Sequence, residues 1–225
     1  MILSTQDTEL YKKRVQVSQS KAFLIFIKHP NSVLLLIASI TCLSLRANSG
    51  MFSSRDIAIV VIACALQPFA EWLIHVLILH FKPKRLGAFT IDPLVAKMHR
   101  AHHMDPKNMK LVFVPFSVMV PLAGALVGLP FTILPTPQAL TLASTQVLIV
   151  FYYEWIHFLI HSSYKPKHFI YKSIWRSHRL HHYRNERYWF GVVTNVADHL
   201  LGTFPKGKKS VELSATAKSI VGTES

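Results

Sequence analysis

The stretch QALTLASTQVLIVFYYEWIHFLIH, residues 138–161, is apolar for most of its length and closes on His157 and His161. It is long enough to cross the hydrocarbon core of a bilayer as a helix, which takes about 20 residues. Its last two histidines are four apart and so share one helical face. A membrane-crossing helix that ends in paired imidazoles is the unit from which the rest of the chain can be read.

The unit occurs twice. Residues 56–80 form another apolar run, with Pro68 inside it, ending in HVLILH (His75, His80), and Glu71-Trp72-Leu73-Ile74-His75 recurs as Glu154-Trp155-Ile156-His157, one residue shorter. Each run is followed by a triple, HRAHH (His99, His102, His103) and then HRLHH (His178, His181, His182), so ten of the thirteen histidines lie in four clusters. Residues three and four apart lie on one helical face, which lets each triple point one way. His75 and His80 are five apart, about 140° around an ideal helix. They converge only if that helix end is wound differently, or if they embrace metals from two sides.

Neutral imidazole suits iron, zinc and copper. Ten ligands exceed what one ion takes, so two metals sharing the set is the economical reading. Without metal, so many imidazoles would repel when protonated and leave polar atoms unpaired. His29 and His168 stand alone and read as hydrogen-bonded core or interface residues.

A hydrophobic fraction of 51% and a mean hydropathy of +0.31 point to a membrane protein. Residues 22–45, broken at Lys28-His29-Pro30-Asn31, and residues 111–134, with Pro115, Pro121 and Pro130, bring the expected crossings to about four. Pro135-Thr136-Pro137 turns the last two into a helical hairpin. The net charge is +14, and only Arg46 and Arg55 of the 25 cations fall on one side of these spans. The positive-inside rule then places both termini and all four histidine clusters in the cytoplasm. The basic balance is topology plus attraction to anionic headgroups rather than nucleic-acid binding. Cys42 and Cys64 lie in apolar runs and suggest neither a disulfide framework nor a thiolate site.

The expected fold is all-α: an integral membrane protein of about four transmembrane helices, with a cytoplasmic helical cap holding a histidine-rich dinuclear metal site. A membrane-embedded domain at 22–205 follows a polar basic segment at 1–21, which lacks the form of a cleaved signal peptide, and precedes a flexible polar tail at 206–225. Glu71 and Glu154 sit on the right faces to accept the second N–H of the imidazoles, and Asp198 is a third such candidate. His199 is read as an outer neighbour of the site or exposed. Tyr152, Tyr153, Trp155, Tyr188 and Trp189 read as an interfacial belt, and Phe113, Phe116 and Phe131 as apolar packing rather than a substrate tunnel.

The set HxxxxH, HxxHH, HxxxH, HxxHH on such spans resembles the fatty acid hydroxylase and sterol desaturase superfamily of membrane-bound di-iron oxygenases, over roughly residues 55–205. In pattern it is similar to the fatty acid 2-hydroxylases at Pro106, Lys110-Leu111-Val112-Phe113, Phe190-Gly191, Asp198 and Gly202-Thr203. It departs from them at Asn108, where that group tends to have Asp, at Val95, where it has a further histidine, and in a stretch one residue shorter between Pro106 and Lys110. The resemblance implies two iron ions held by the ten clustered histidines, O2 as co-substrate, and hydroxylation of a C–H bond in a lipid drawn from the bilayer. It also implies an external electron donor of the cytochrome b5 or ferredoxin type, for which the basic face around Arg176, Arg179, Arg184 and Arg187 is the expected dock. The membrane would be the endoplasmic reticulum in a eukaryote and the inner membrane in a bacterium. A sterol or lipid desaturase and a carotenoid hydroxylase would share this site. A non-catalytic metal-binding or transport protein is the alternative of another class.

Overall fold

The computed structural model describes residues 16–222. Helix α1 (Gln19–Phe26) begins at Ser18, whose hydroxyl accepts from the Lys21 N–H, and stops short of Pro30. Pro30 then opens α2 (Pro30–Ala47), where a missing N–H costs nothing. The Lys28-His29-Pro30-Asn31 break is thus a capped junction, and α2 is longer than the run after the break suggests. His29 caps it by accepting from the Asn31 N–H and stacks on Phe113 with ring centroids 3.6 Å apart.

Helix α3 (Ser54–Ile74) carries Pro68 in its interior and passes into a π-helical turn, His75–Leu79. A two-stranded antiparallel hairpin follows, β1 (Lys84–Leu86) and β2 (Phe89–Ile91), and it is the departure among the described residues from the all-helical expectation. Next come α4 (Leu94–Met104), α5 (Phe116–Gly128) with a 3-10 extension Leu129–Thr132, α6 (Thr136–His161), α7 (Phe169–Tyr183) and α8 (Val196–Leu200). A 3-10 turn Lys208–Ser210 and α9 (Ala215–Gly222) close the described chain.

Residues 111–115, expected within the third apolar helix, form turns instead. Pro115 disfavours helix in the residue before it, and the Val114 N–H is committed to Glu154. The expected N-terminal segment lies outside the described residues up to position 15, and Val17 is buried in the aromatic cluster of Phe26, Phe113 and Phe158. Over the span expected as a flexible tail, Val211, Ala217 and Ile220 are buried and α9 packs on α4 and α7.

Helix α6 is the hub, touching α1, α2, α3, α5 and α7. Among the described residues three helices are long and apolar enough to cross a membrane: α2, α3 with its π turn, and α6; α5 with its extension is a shorter apolar helix. Helix α3 buries almost nothing and exposes Ile57, Val61, Ile62, Leu66, Leu73 and Leu77, an apolar face of the kind that meets lipid.

At one end of the bundle the Arg46 guanidinium bridges α2, α3 and α6. Its Nη2 pairs with Asp56 at 2.9 Å and its Nε donates to Thr141 at 2.9 Å, while Nη1 donates to the Gly50 carbonyl. Both charged side chains are buried. At the other end the C-termini of α3 and α6 meet, which brings the histidines together.

Candidate metal centre

The histidine pair at the end of α3 converges because the helix is underwound into a π turn. The His80 N–H donates to the His75 carbonyl, an i to i+5 bond, and the two rings stack 5.1 Å apart at 24°. On α6 an ordinary helical turn does the same for His157 and His161, whose rings lie 4.8 Å apart.

The ten imidazoles form two sets of five. One is His75, His80, His99, His103 and His181; the other is His102, His157, His161, His178 and His182. Within each set one ring nitrogen per residue lies within 4.8 Å of all the others. Each triple is therefore split: its outer two histidines stay with the preceding pair, and its middle one crosses to the other set. Helix geometry explains this. His102 and His103 are adjacent and point about 100° apart, whereas His99 and His103 point about 40° apart.

Contacts within the sets run Nε2 to Nε2. They measure 3.1 Å for His75 and His99, 3.1 Å for His103 and His99, and 3.1 Å for His80 and His181. In the second set they measure 3.2 Å for His102 and His161, 3.2 Å for His178 and His161, and 3.1 Å for His182 and His178. Nitrogens around one ion at about 2.1 Å sit about 3.0–3.4 Å apart. Tautomers point the same way. The Nδ1–H groups of His75, His161 and His181 donate to the carbonyls of Phe190 (2.6 Å), Pro106 (3.0 Å) and Tyr188 (2.7 Å), leaving each Nε2 a lone pair aimed at its neighbours. His157 Nε2 is buried with no partner. Converging lone pairs repel unless a cation lies between them, so the residues fit a metal in each set.

Burial first, and neighbouring imidazoles second, hold His99, His102, His103, His178 and His182 well below the ordinary histidine value. His181 is held down by the same two causes, and burial brings His80 to about 4. All stay neutral near pH 7, as ligands must.

The three acidic candidates act differently from the expectation. Among the described residues none of them accepts from an imidazole. Glu71 Oε1 accepts the N–H groups of Val192 and Val193, and Glu154 accepts from Val114 N–H at 3.1 Å and Asn31 Nδ2 at 3.3 Å. Asp198 accepts from Phe190 N–H at 2.9 Å, Gly191 N–H at 2.7 Å and Thr203 Oγ1 at 2.6 Å, and its burial pushes the carboxyl up. These carboxylates hold the loops whose carbonyls orient the imidazoles. Glu71 grips the loop that receives His75, and Glu154 grips the one whose Val112 carbonyl receives His157.

The loop acceptors Pro106, Val112, Tyr188 and Phe190 escape sequence reading because a backbone carbonyl leaves no mark in residue type. The flanking signature is legible afterwards. A Cβ on Gly191 would meet the Thr194 carbonyl at 2.0 Å, and Thr203 Oγ1 joins Asp198 to the Trp72 indole N–H.

Trp189 is buried, Trp155 is partly buried against the aromatic cluster of Phe26, Phe113 and Phe158, and Tyr153 lies beside His157 with ring centroids 5.8 Å apart. Tyr152 is exposed. An apolar pocket lined by Leu79, Val95, Met98, Leu111 and Phe113 reaches His99 of one set and His157 of the other, so Phe113 serves both packing and pocket, while Phe116 and Phe131 are exposed. His168 is exposed rather than in a core, and the exposed His199 stacks on Phe204. Of the expected docking cations, Arg179 lies over Trp175 and Tyr183 and Arg184 donates to the Val211 carbonyl; Arg176 and Arg187 are exposed.

A family model described as fatty acid hydroxylase matches residues 60–203. A dihydroceramide fatty acyl 2-hydroxylase of Arabidopsis thaliana, FAH1, is 27% identical over 172 residues, covering 74% of this chain and 69% of that protein. The fatty acid 2-hydroxylase of Rattus norvegicus is 28% identical over 148 residues, 65% of this chain and 39% of its own length. In fold, the chain is similar to the solved structure of full-length Scs7p, in which only the hydroxylase domain is visible, with a TM-score of 0.67 and 21% identity over 82% of this chain and 68% of that one.

Proposed function

The chain belongs to the fatty acid hydroxylase family, and on that premise we propose that it is an integral-membrane enzyme hydroxylating the acyl chain of a lipid at two irons. The observation that carries the proposal is the pair of five-imidazole sets meeting at the end of an apolar pocket. Bound there, two irons would supply the redox chemistry that activates O2 toward an unactivated C–H bond.

The chain's own residues do the rest. His75, His80, His99, His103 and His181 would hold one ion, and His102, His157, His161, His178 and His182 the other. The carbonyls of Phe190, Pro106 and Tyr188 keep the protons on Nδ1, so that Nε2 faces the metal. Leu79, Val95, Met98, Leu111 and Phe113 line the apolar approach to the two sets and keep water from the reacting carbon. The relatives' 2-hydroxylase activity favours the carbon next to the acyl carbonyl as the target.

The spans are α2, α3, α5 and α6, with the histidine end in the cytoplasm, at the endoplasmic reticulum of a eukaryote or the inner membrane of a bacterium. Electrons come from an acidic carrier of the cytochrome b5 or ferredoxin type. It docks on the basic groove lined by Lys172, Arg176, Lys206 and Lys208, by charge complementarity.

The test is mass spectrometry of total lipids from cells expressing the wild type or His103→Ala. A lipid class that gains one oxygen with the wild type alone is the expected result, and loss of two hydrogens instead would make the enzyme a desaturase. Unchanged lipids, together with no O2 uptake by the iron-loaded protein, would overturn the enzymatic reading in favour of a metal-binding protein.

A further inference from the structure

The β1–β2 hairpin has no role in the metal centre, and every residue of both strands is exposed. It turns tightly through Gly87 and Ala88, with Gly87 at φ +58°, a positive φ at the first turn position that glycine takes without strain. The register pairs Lys84 with Ile91, Arg85 with Thr90 and Leu86 with Phe89. Side chains of directly paired residues share a face. One face therefore carries Lys84, Leu86, Phe89 and Ile91, and the other Arg85 and Thr90.

An isolated two-stranded hairpin is marginal in water and needs a surface to cover its apolar face. Here that face is bare: Phe89 is 78% exposed and Leu86 60%. The base, by contrast, is held. Arg100, on α4 beside His99, donates to the Phe81 carbonyl at 2.7 Å and pairs with Asp92 at 2.6 Å, so it clamps both ends of the hairpin to the helix that carries the first triple.

Two observations identify the occupant. The hairpin follows directly on the π turn that ends α3, whose last turns expose Leu73, Ile74, Leu77 and Ile78, so its apolar face continues a lipid-facing surface. Lys82, Lys84 and Arg85 stand around it, and among the described residues none pairs with an acidic side chain. The hairpin also joins Leu79 to Val95 and Met98, three residues of the pocket lining.

We propose that the hairpin is an interfacial anchor: it lies on the membrane with Leu86, Phe89 and Ile91 in the acyl region and Lys82 and Lys84 on anionic headgroups, and so fixes the mouth of the apolar pocket at the lipid surface. Basic residues around an apolar face are what such binding requires. The proposal rests on the reading of α3 as a membrane span, and the experiment separates the two.

Nitroxide labels are placed at Phe89→Cys, Thr90→Cys and, as the span control, Leu66→Cys, each in a Cys42→Ala, Cys64→Ala background. The proteins are reconstituted in phosphatidylcholine vesicles containing phosphatidylserine. Collision with O2, which concentrates among acyl chains, is compared with collision with a water-soluble nickel chelate. Labels at Phe89 and Leu66 are expected to favour O2 and the label at Thr90 the chelate. Replacing Lys82 and Lys84 by Gln is expected to move the Phe89 label toward water. A Phe89 label that favours the chelate while Leu66 favours O2 overturns the anchor alone. One shielded from both relaxers shows a protein partner there and overturns it too. A Leu66 label that favours the chelate overturns the membrane reading and the anchor with it.

Discussion

His181 sits on α7 between His178 and His182, yet its Nε2 lies 3.1 Å from that of His80, on the π turn that ends α3. The middle histidine of the second triple thus serves the first pair, and His102 does the converse at 3.2 Å from His161. Neither set is complete without a ligand from the opposite half of the chain, so the two halves of the centre are expected to load interdependently.

The exchange predicts which variants resemble one another. His181→Ala should weaken the same ion as His103→Ala, and His102→Ala the same ion as His182→Ala. Iron content per protein and the spectrum of the ion that remains would show it. Identical spectra for His181→Ala and His182→Ala would contradict the partition.

Glu71 is expected to act on metal affinity through its loop rather than through an imidazole. Glu71→Ala frees the Val192 and Val193 N–H groups and lets the Phe190 carbonyl drift from His75, lowering metal affinity about 10–100-fold. Glu71→Gln keeps one oxygen for the loop and should lose less. Competition with a chelator of known affinity measures both, and unchanged affinity in Glu71→Ala would dismiss the loop as the orienting element.

At the far end of the bundle, the Arg46–Asp56 pair is expected to affect stability without touching the metals. Asp56→Ala leaves a buried guanidinium without its carboxylate, which costs about 3–5 kcal/mol inside a protein. The pair lies at the helix ends, where water reaches an unpaired charge more readily, so about 2 kcal/mol is expected. Thermal unfolding in detergent gives the shift. The double variant Arg46→Met, Asp56→Leu should recover most of it, and iron content in the folded fraction should stay unchanged.

His29 predicts a pH dependence. Burial lowers its pKa to about 4 in the folded protein, against about 6.5 unfolded. Between these values the unfolded chain binds the extra proton, so the stabilisation is full above pH 6.5 and is lost as pH falls toward 4. The ring is partly exposed, which reduces the effect to about 1–2 kcal/mol. His29→Gln should flatten the fall in unfolding temperature across that window relative to wild type, and equal slopes would remove His29 as a cause.

Much of the centre can be read from spacing alone. The four clusters, the repeated Glu-Trp unit and the five-residue gap at His75 and His80 are local, and the demand for a differently wound helix end follows from 100° per residue. The hairpin, the loop carbonyls and the true partners of Glu71, Glu154 and Asp198 are not local. A carboxylate four residues before a histidine is on the right face, but the distant amides of Val192 and Val193 reach Glu71 and take its oxygens.

By itself the sequence determined that apolar helices end in imidazoles and that there are enough of these for two ions. Periodicity and composition decide such things within a few turns of chain. Only the tertiary structure decided which five imidazoles converge in each set. His102 and His103 diverge by about 100° on one helix, and the rotation and approach of α4 and α7 against α3 and α6 settle which neighbour each one meets. That rotation is a balance of packing across the whole bundle, and no local run of residues records it.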